Sequence, residues 1–315
     1  MYILGFDIGG TKCAAITAEW DGETVEIKAR ESIPTDTGVP PCEMISRLIL
    51  LADGILDGTP DAIGISSGGP LDSGRGVIMS PPNLPGWDDV HIVDMLEKHY
   101  GVRPRLVNDA NACAVAEWKF GAGRGSTNMI FLTFGTGLGA GLILDGRLYE
   151  GTNGNAGEVG HVRLEEDGPI GFGKRGSFEG FCSGGGIARL AWQMALEGAR
   201  LGTPPAYYEE WMTPRDVSAR TVAEAALSGD ATAIEVYRIS GEQLGRGLSI
   251  LIDILNPERV VIGSVFARSR ELFIDSMESA LKREALSCAL DVCTVVPAEL
   301  GDKVGDYAAI AAALS

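Results

Sequence analysis

The chain has 315 residues, enough for one large or two medium domains with full cores. Hydrophobic residues make up 45% and charged residues 22%, the profile of a soluble globular protein. A formal net charge of -17 argues against nucleic-acid binding, because the surface as a whole repels phosphate backbones. Cys13, Cys42, Cys113, Cys182, Cys288 and Cys293 form no C-x-x-C pair, and most sit in apolar runs. That usage suggests a reducing compartment rather than a disulfide framework. The opening MYILGFDIGG lacks a basic segment and is too short for a signal sequence. No apolar run is long enough to span a bilayer. The expected location is the cytoplasm.

Glycine supplies 43 residues, about twice its usual share, and its clusters mark the organisation. YILGFDI (2–8) reads as a strand, GGTK as a turn and CAAITAEW (13–20) as a second strand. Asp21-Gly22 is a hairpin signal, and ETVEIKARES (23–32) is the third strand. A helix over about 42–57 follows, then the strand DAIGISS (61–67) and a loop rich in Gly and Pro (68–88). Next come a helix over about 90–100, the strand PRLVND (104–109) and a helix over about 109–120. The opening pattern then returns. MIFLTF (129–134) is a strand, GTGLG a glycine turn, AGLIL (140–144) a strand, Asp145-Gly146 a hairpin signal and RLYEG the next strand. The two copies lie about 125 residues apart. They suggest a duplicated domain with a ligand held between the glycine turns; two unrelated Gly-rich hairpins would look the same.

Beyond residue 180, helices are expected over about 183–198, 218–228 and 230–254. A buried strand in ERVVIGS (258–264), a helix over 268–285, the strand DVCTVVPA (291–298) and an Ala-rich helix over 305–314 complete the chain. ARLGTPPAYYEEWMTPRD (199–216) reads as a surface connection, and no N-terminal helix-turn-helix extension is seen. Strands alternating with helices imply α/β layers.

GTGLGA (135–140) matches the dinucleotide pattern G-x-G-x-x-G/A, with Glu158 as an acid about 20 residues on. That fingerprint must open a helix, and this turn joins two strands. No G-x-x-x-x-G-K-[ST] loop exists either. Glycines in a β-turn still leave backbone N–H groups open to phosphate oxygens, because no Cβ blocks the approach. Two such turns could hold the β- and γ-phosphates of one nucleotide, or they are tight turns with no ligand. Asp7 ends the first strand beside the first turn. It suits a phosphate site only with Mg²⁺ and its waters in between; otherwise it caps its own loop. Asn108 and Asp109 fall at a strand-to-helix junction. They are an ordinary helix N-cap, or Asp109 is a general base for an attacking sugar hydroxyl while Asn108 bonds a neighbouring hydroxyl. The stretch alone leaves both open. His161, with Glu158 and Glu179 in GEVGHVRLEEDGPIGFGKRGSFEG (157–180), fits a metal site, a substrate site or a mobile loop.

In order, DIGGTK, GGP, NLPGW, ND, GTGLGAG, GEVGH and E-x-x-x-S-G resemble the ROK family of sugar kinases, within the larger actin-like ATPase and hexokinase group. The resemblance runs from Leu4 to the last helix. It implies an α/β, ribonuclease H-like, duplicated two-domain fold with a ligand cleft between the domains. Residues 1–118 plus 300–315 would form a small N-terminal domain and residues 119–299 a large C-terminal one. Carried over residue by residue, Asp7, Gly9, Gly10, Thr11 and Lys12 would form the first phosphate loop of an ATP site, with Asp7 at Mg²⁺ through water. Gly135, Thr136, Gly137 and Gly139 would form the second loop, and Gly263 and Ser264 would lie near the adenosine. The last match is looser, since GSV stands where the family often has three glycines. Gly69 and Asn83 would line the sugar pocket, Asn108 and Asp109 would bind the sugar with Asp109 as base, and Glu158, His161 and Glu179 would hold hydroxyls at the far end of the ring.

Many members of that family carry C-x-C-G-x-x-G-C before the second glutamate, and those cysteines bind a structural zinc with the histidine. Here the positions hold Ile170, Phe172 and Ser177, none of them a zinc ligand, and tetrahedral zinc needs four. No zinc is expected, with Ile170 and Phe172 substituting apolar packing for the metal. The expected activity is ATP-dependent phosphorylation of a hexose to its 6-phosphate. Glucose is favoured, because two carboxylates and a histidine suit a pyranose with several equatorial hydroxyls. N-acetylmannosamine, N-acetylglucosamine or fructose are alternative substrates. A non-catalytic sugar-responsive regulator or sugar-binding protein is the alternative of another class. A homodimer with no nucleic-acid or membrane partner is the expected assembly.

Overall fold

A computed structural model describes residues 1–315. The chain opens with β1 (Tyr2–Ile8), β2 (Lys12–Trp20) and β3 (Val25–Pro34), then α1 (Pro41–Asp53) and β4 (Ala62–Ser67). A small hairpin, β5 (Leu71–Asp72) and β6 (Val77–Ile78), precedes α2 (Ile92–Tyr100), β7 (Arg105–Asn108) and α3 (Asp109–Phe120). Then come β8 (Met129–Phe134), β9 (Leu138–Leu144), β10 (Arg147–Tyr149), a second small hairpin of β11 (Ile170–Gly171) and β12 (Lys174–Arg175), α4 (Phe178–Phe181) and α5 (Gly184–Arg200). The chain closes with α6 (Ala219–Leu227), α7 (Ala231–Leu255), β13 (Arg259–Ile262), α8 (Ser264–Arg268), α9 (Arg270–Glu284), α10 (Ser287–Leu290), β14 (Thr294–Pro297) and α11 (Val304–Ala312). Sequence periodicity alone missed the short elements α4, α8 and α10 and both small hairpins. No helix is long and apolar enough to cross a membrane.

Two five-stranded sheets carry an α/β fold, and their strand orders correspond: β3-β2-β1-β4-β7 and β10-β9-β8-β13-β14. In the first, β1 pairs antiparallel with β2 and parallel with β4, and β4 pairs parallel with β7. In the second, β10 pairs antiparallel with β9, and β13 pairs parallel with both β8 and β14. The repeat read in the sequence is therefore a repeat of topology. Asp145 and Gly146, with φ of 52° and 68°, turn β9 into β10 as a type I′ hairpin requires.

The chain divides into two compact units, Met1–Thr127 with Gly141–Ala156 and Glu299–Ser315, and Asn128–Ala140 with Gly157–Ala298. The sequence reading placed 141–156 in the C-terminal domain. It groups with the first unit because β9 from Gly141 onward runs against α3: a Cβ at Gly141 would lie 2.3 Å from Ala114 Cβ and 2.7 Å from the Ala110 carbonyl. In the first unit, strand alternation sends Leu4, Phe6 and Ile8 to one face of β1, where they pack with Met44, Ile45, Leu48, Ile65, Trp87 and Leu96. Ile3 faces the other way and packs with Ala14, Ile16, Ala309 and Ile310, so α11 returns to cover the second face. Truncating one of the fully buried aromatics, Phe6 or Trp87, to alanine costs about 3–5 kcal/mol by the general cost of such cavities. In the second unit the core centres on Phe273, whose ring lies 5.5 Å from Phe134, 4.9 Å from Tyr237 and 5.8 Å from Phe266.

Candidate functional site

Parallel register levels the ends of β1, β4 and β7. Ile8 is opposite Ser67, and Ser67 is opposite Asn108. Asp7, the Gly68-Gly69 corner and Asn108-Asp109 therefore leave the sheet at one edge, the carboxyl edge where open α/β sheets hold ligands. Asn108 is the N-cap of α3: its Oδ1 accepts from the Ala110 N–H at 3.0 Å. Its amide nitrogen then points toward Gly69, 3.1 Å from where a Cβ would stand. Asp109 Oδ1 also accepts from the Ala110 N–H, at 2.8 Å, while Oδ2 turns toward Gly68 beside the Asn83 amide. The two sequence readings of this junction are compatible, because Asn108 Oδ1 and Asp109 Oδ1 share the Ala110 N–H while Asp109 Oδ2 turns toward Gly68.

Asn83 sits in a turn closed by Leu84 N–H to Pro81 O (2.9 Å) and Trp87 N–H to Leu84 O (3.2 Å). Leu84 and Trp87 are buried, so the apolar residues of NLPGW anchor the loop and hold Asn83 in place. A Cβ on Gly10 would lie 2.3 Å from the Asn83 carbonyl, so only glycine lets the β1–β2 turn approach this loop. Within that turn Gly9 N–H donates to Lys12 O at 3.1 Å, while no hydrogen bond inside the protein uses the N–H of Gly10 or Thr11.

Asp7 is a strongly perturbed carboxylate of this edge. Burial first, then the Asp306 carboxylate, push its carboxyl up to about 6, against the pull of Lys12, and Asp109 adds to the rise. Asp306 is itself held by Arg30 at 2.8 Å, and α11 brings Gly305 against Asp7. A buried carboxylate with further carboxylates beside it suits a divalent cation with oxygen ligands. No group of three or more His, Cys, Asp or Glu side chains is gathered as a ready metal cage. Asp7 thus fits a cation bound mainly by waters and by the phosphates of a bound nucleotide.

The β8–β9 turn in the second unit is braced by other residues. Its N–H groups at Gly135, Leu138 and Gly139 are taken by Gly137 O (3.1 Å), Glu179 Oε2 (3.1 Å) and Thr133 Oγ1 (3.0 Å). Its carbonyls at Gly135 and Thr136 accept from the N–H groups of Gly184 and Gly185 at 2.7 and 3.3 Å. The N–H groups of Thr136 and Gly137 are left without a partner inside the protein. Ser264, in the left-handed region at φ 49°, lies beside Gly135, its Oγ 4.0 Å from where a Cβ would be. Of the residues expected to bind phosphate through the backbone, Gly9, Gly135 and Gly139 use their N–H groups within the turns; Gly10, Thr11, Thr136 and Gly137 keep theirs open.

Glycines in the 157–180 segment serve close packing. Gly157 (φ 92°) accepts from Ala140 N–H at 2.8 Å, and a Cβ on Gly160 would stand 2.3 Å from Leu138 O. The spacing in GEVGH thus lays this segment along the backbone of β9, directly after the second turn. Glu158 and His161 flank a single 3-10 turn (Val159–His161) and are exposed. The expectation of apolar packing by Ile170 and Phe172 is corrected here: they are 44% and 73% exposed. Phe172 and Gly173 form the two-residue tip of the β11–β12 hairpin, both at positive φ, and a hairpin tip projects its side chain outward. Phe172 nonetheless places its ring edge-on to His161, with centroids 5.1 Å apart, and Lys174 Nζ donates to the His161 carbonyl at 2.6 Å. Ser177 is fully buried and caps α4 through Gly180 N–H at 3.1 Å, which seats Glu179 in the first turn of that helix.

Several supporting residues escaped the sequence reading. The SGGG run at 183–186 was visible and could have been matched to the second turn. Thr35, Gly305 and Asp306 carry no local signal and reach the first turn only through the fold.

A model of the ROK family matches residues 3–315. A glucokinase of Streptomyces coelicolor is 31% identical over 310 residues, 96% of this chain and 94% of that protein. An N-acetylmannosamine kinase of Citrobacter koseri is 33% identical over 264 residues, 84% of this chain and 83% of that protein. A xylose repressor of Caldicellulosiruptor bescii is 26% identical over 322 residues, 99% of this chain and 78% of that protein. Among solved structures, a ROK family glucokinase from Streptomyces griseus in complex with glucose and AMPPNP aligns with a TM-score of 0.74 at 28% identity, covering 99% of this chain and 98% of that one.

Proposed function

The chain belongs to the ROK family, and from that premise and the Asp109 geometry we propose that it is an ATP-dependent hexose kinase that phosphorylates the 6-hydroxyl, with glucose favoured. The observation that carries the reading is the Asn83–Asn108–Asp109 corner. One Asp109 oxygen is fixed by a backbone N–H, and the other is aimed past Gly68 beside the Asn83 amide. A carboxylate oriented in this way takes the proton of an attacking hydroxyl as the oxygen–phosphorus bond forms. Asn108 and Asn83 orient the sugar through their amides. Glu158, His161 and Glu179 bind its other hydroxyls. The open N–H groups of Gly10, Thr11, Thr136 and Gly137 bind phosphate oxygens, and Gly263 and Ser264 contact the nucleoside. Asp7 holds Mg²⁺ through water; when bound, the cation neutralises charge developing on the transferred phosphoryl group.

Glucose rests on the glucokinase relatives and on the pairing of two carboxylates with a histidine. The N-acetylmannosamine kinase relative keeps N-acetylhexosamines as the second substrate class, and the xylose repressor keeps a non-catalytic regulator as the reading of another class. The chain is further proposed to dispense with zinc, since Ile170, Phe172 and Ser177 offer no ligand. Purified protein with Mg-ATP and a panel of hexoses and N-acetylhexosamines should release ADP fastest with glucose. Sugar binding without turnover on any of them selects the regulator. Near-stoichiometric zinc by metal analysis overturns the zinc-free assignment.

A further inference from the structure

We infer that Thr35 is a positioning residue for phosphate binding, its hydroxyl orienting the Gly9–Gly10 peptide so that the Gly10 N–H faces the phosphates of a nucleoside triphosphate. Thr35 follows the last residue of β3, and its Oγ1 donates to the Gly9 carbonyl at 2.6 Å. The C=O and N–H of one trans peptide point in opposite directions. Holding Gly9 O toward Thr35 therefore drives the Gly10 N–H out of the opposite side, where no group of the protein accepts it. The Thr35 N–H donates to Thr11 O at 3.0 Å, so one residue fixes two carbonyls of a four-residue turn.

Cys13 Sγ lies 3.4 Å from Thr35 Oγ1 and 3.9 Å from Gly9 O, so the thiol and the hydroxyl gather at the same carbonyl. The shorter contact, Thr35 Oγ1 donating at 2.6 Å, is the one that holds Gly9 O. The second unit reaches the same arrangement independently. There the Gly184 and Gly185 N–H groups hold Gly135 O and Thr136 O, and the following N–H groups, of Thr136 and Gly137, are the open ones. In both turns a held carbonyl precedes an open amide by one residue, Gly9 O before the Gly10 N–H and Gly135 O before the Thr136 N–H.

The inference rests on the first turn being a nucleotide loop. Its test titrates wild type, Thr35→Val and Thr35→Ser by calorimetry with Mg²⁺ and a non-hydrolysable ATP analogue, and separately with glucose, while thermal melts report folding. Valine keeps the shape and the backbone N–H but not the hydroxyl. It should weaken the analogue about five- to tenfold, the usual worth of one hydrogen bond, and leave glucose affinity unchanged; Thr35→Ser should bind like wild type. If Thr35→Val does not fold, Thr35→Ala carries the same comparison. A Thr35→Val protein that binds the analogue as tightly as wild type overturns the role given to Thr35 and leaves the nucleotide loop standing. Wild type that binds glucose but no analogue overturns the loop assignment and the Thr35 role with it.

Discussion

Asn108 and Asp109 leave a parallel strand and enter a helix within two residues, whereas Glu158 and His161 ride on a single 3-10 turn with a hairpin tip against it. In the first region the Ala110 N–H holds one oxygen of Asn108 and one of Asp109, and the nearby loop is nailed down by the buried Leu84 and Trp87. In the second, glycines fit the backbone closely to β9, yet the two side chains stand in solvent, and His161 meets only an exposed aromatic edge. The difference separates two tasks. Rigid placement suits a group that must meet one reacting proton, since small displacements there are costly. Exposed groups on a close-fitted backbone suit recognition, where each hydroxyl adds a modest increment of binding.

That separation is broken or sharpened first at Asp109. Asp109→Asn keeps the shape and the Ala110 contact but removes the base, so kcat should fall by about 10²–10⁴ while sugar affinity changes little. A variant that retains a tenth of the wild-type rate would remove Asp109 from the role of base. His161→Ala comes next. It should raise the sugar KM roughly tenfold, the worth of a hydrogen bond or two to a sugar hydroxyl, with kcat far less affected. Because the ring is exposed, the melting temperature should not move. If His161→Ala lowered kcat as far as Asp109→Asn at unchanged KM, the division of labour would be wrong.

Much of the fold was legible because its signals are local. Asp21-Gly22 and Asp145-Gly146 mark hairpins, apolar runs mark buried strands, and both glycine turns lie where TK and TG link strand to strand. The Asn108 cap was legible for the same reason. What could not be read is what reaches a turn from far along the chain: Thr35 across β3, Asn83 against Gly10, Gly184 and Gly185 against Gly135 and Thr136, Asp306 near Asp7. Such contacts depend on sheet order, which no short stretch encodes. Phe172 shows the opposite failure. Its apolar character predicted burial, but its position at a two-residue hairpin tip with positive φ governs where the side chain goes.

Asp7 is the residue of the rigid region whose placement opposes folding, and its pH dependence has a definite sign. Its carboxyl stands at about 6 in the fold, against an ordinary 3.8, mainly through burial and then through Asp306. Between those values the native state keeps a proton that the unfolded chain has released. Stability from this group is therefore greatest below the ordinary value, falls as pH rises through the window, and stays lowered above about 6. Asp7→Asn removes the ionisation, so the variant without ligands should melt a few degrees above wild type at pH 7.5. The gain should shrink toward zero below pH 4. Mg-ATP should raise the melting temperature of wild type more than that of the variant, since a bound cation offsets the buried charge only where the charge exists. An Asp7→Asn protein that melts below wild type at pH 7.5 would mean that the ionised carboxylate has compensating partners. The rigid edge would then be stabilised by its acids rather than strained by them.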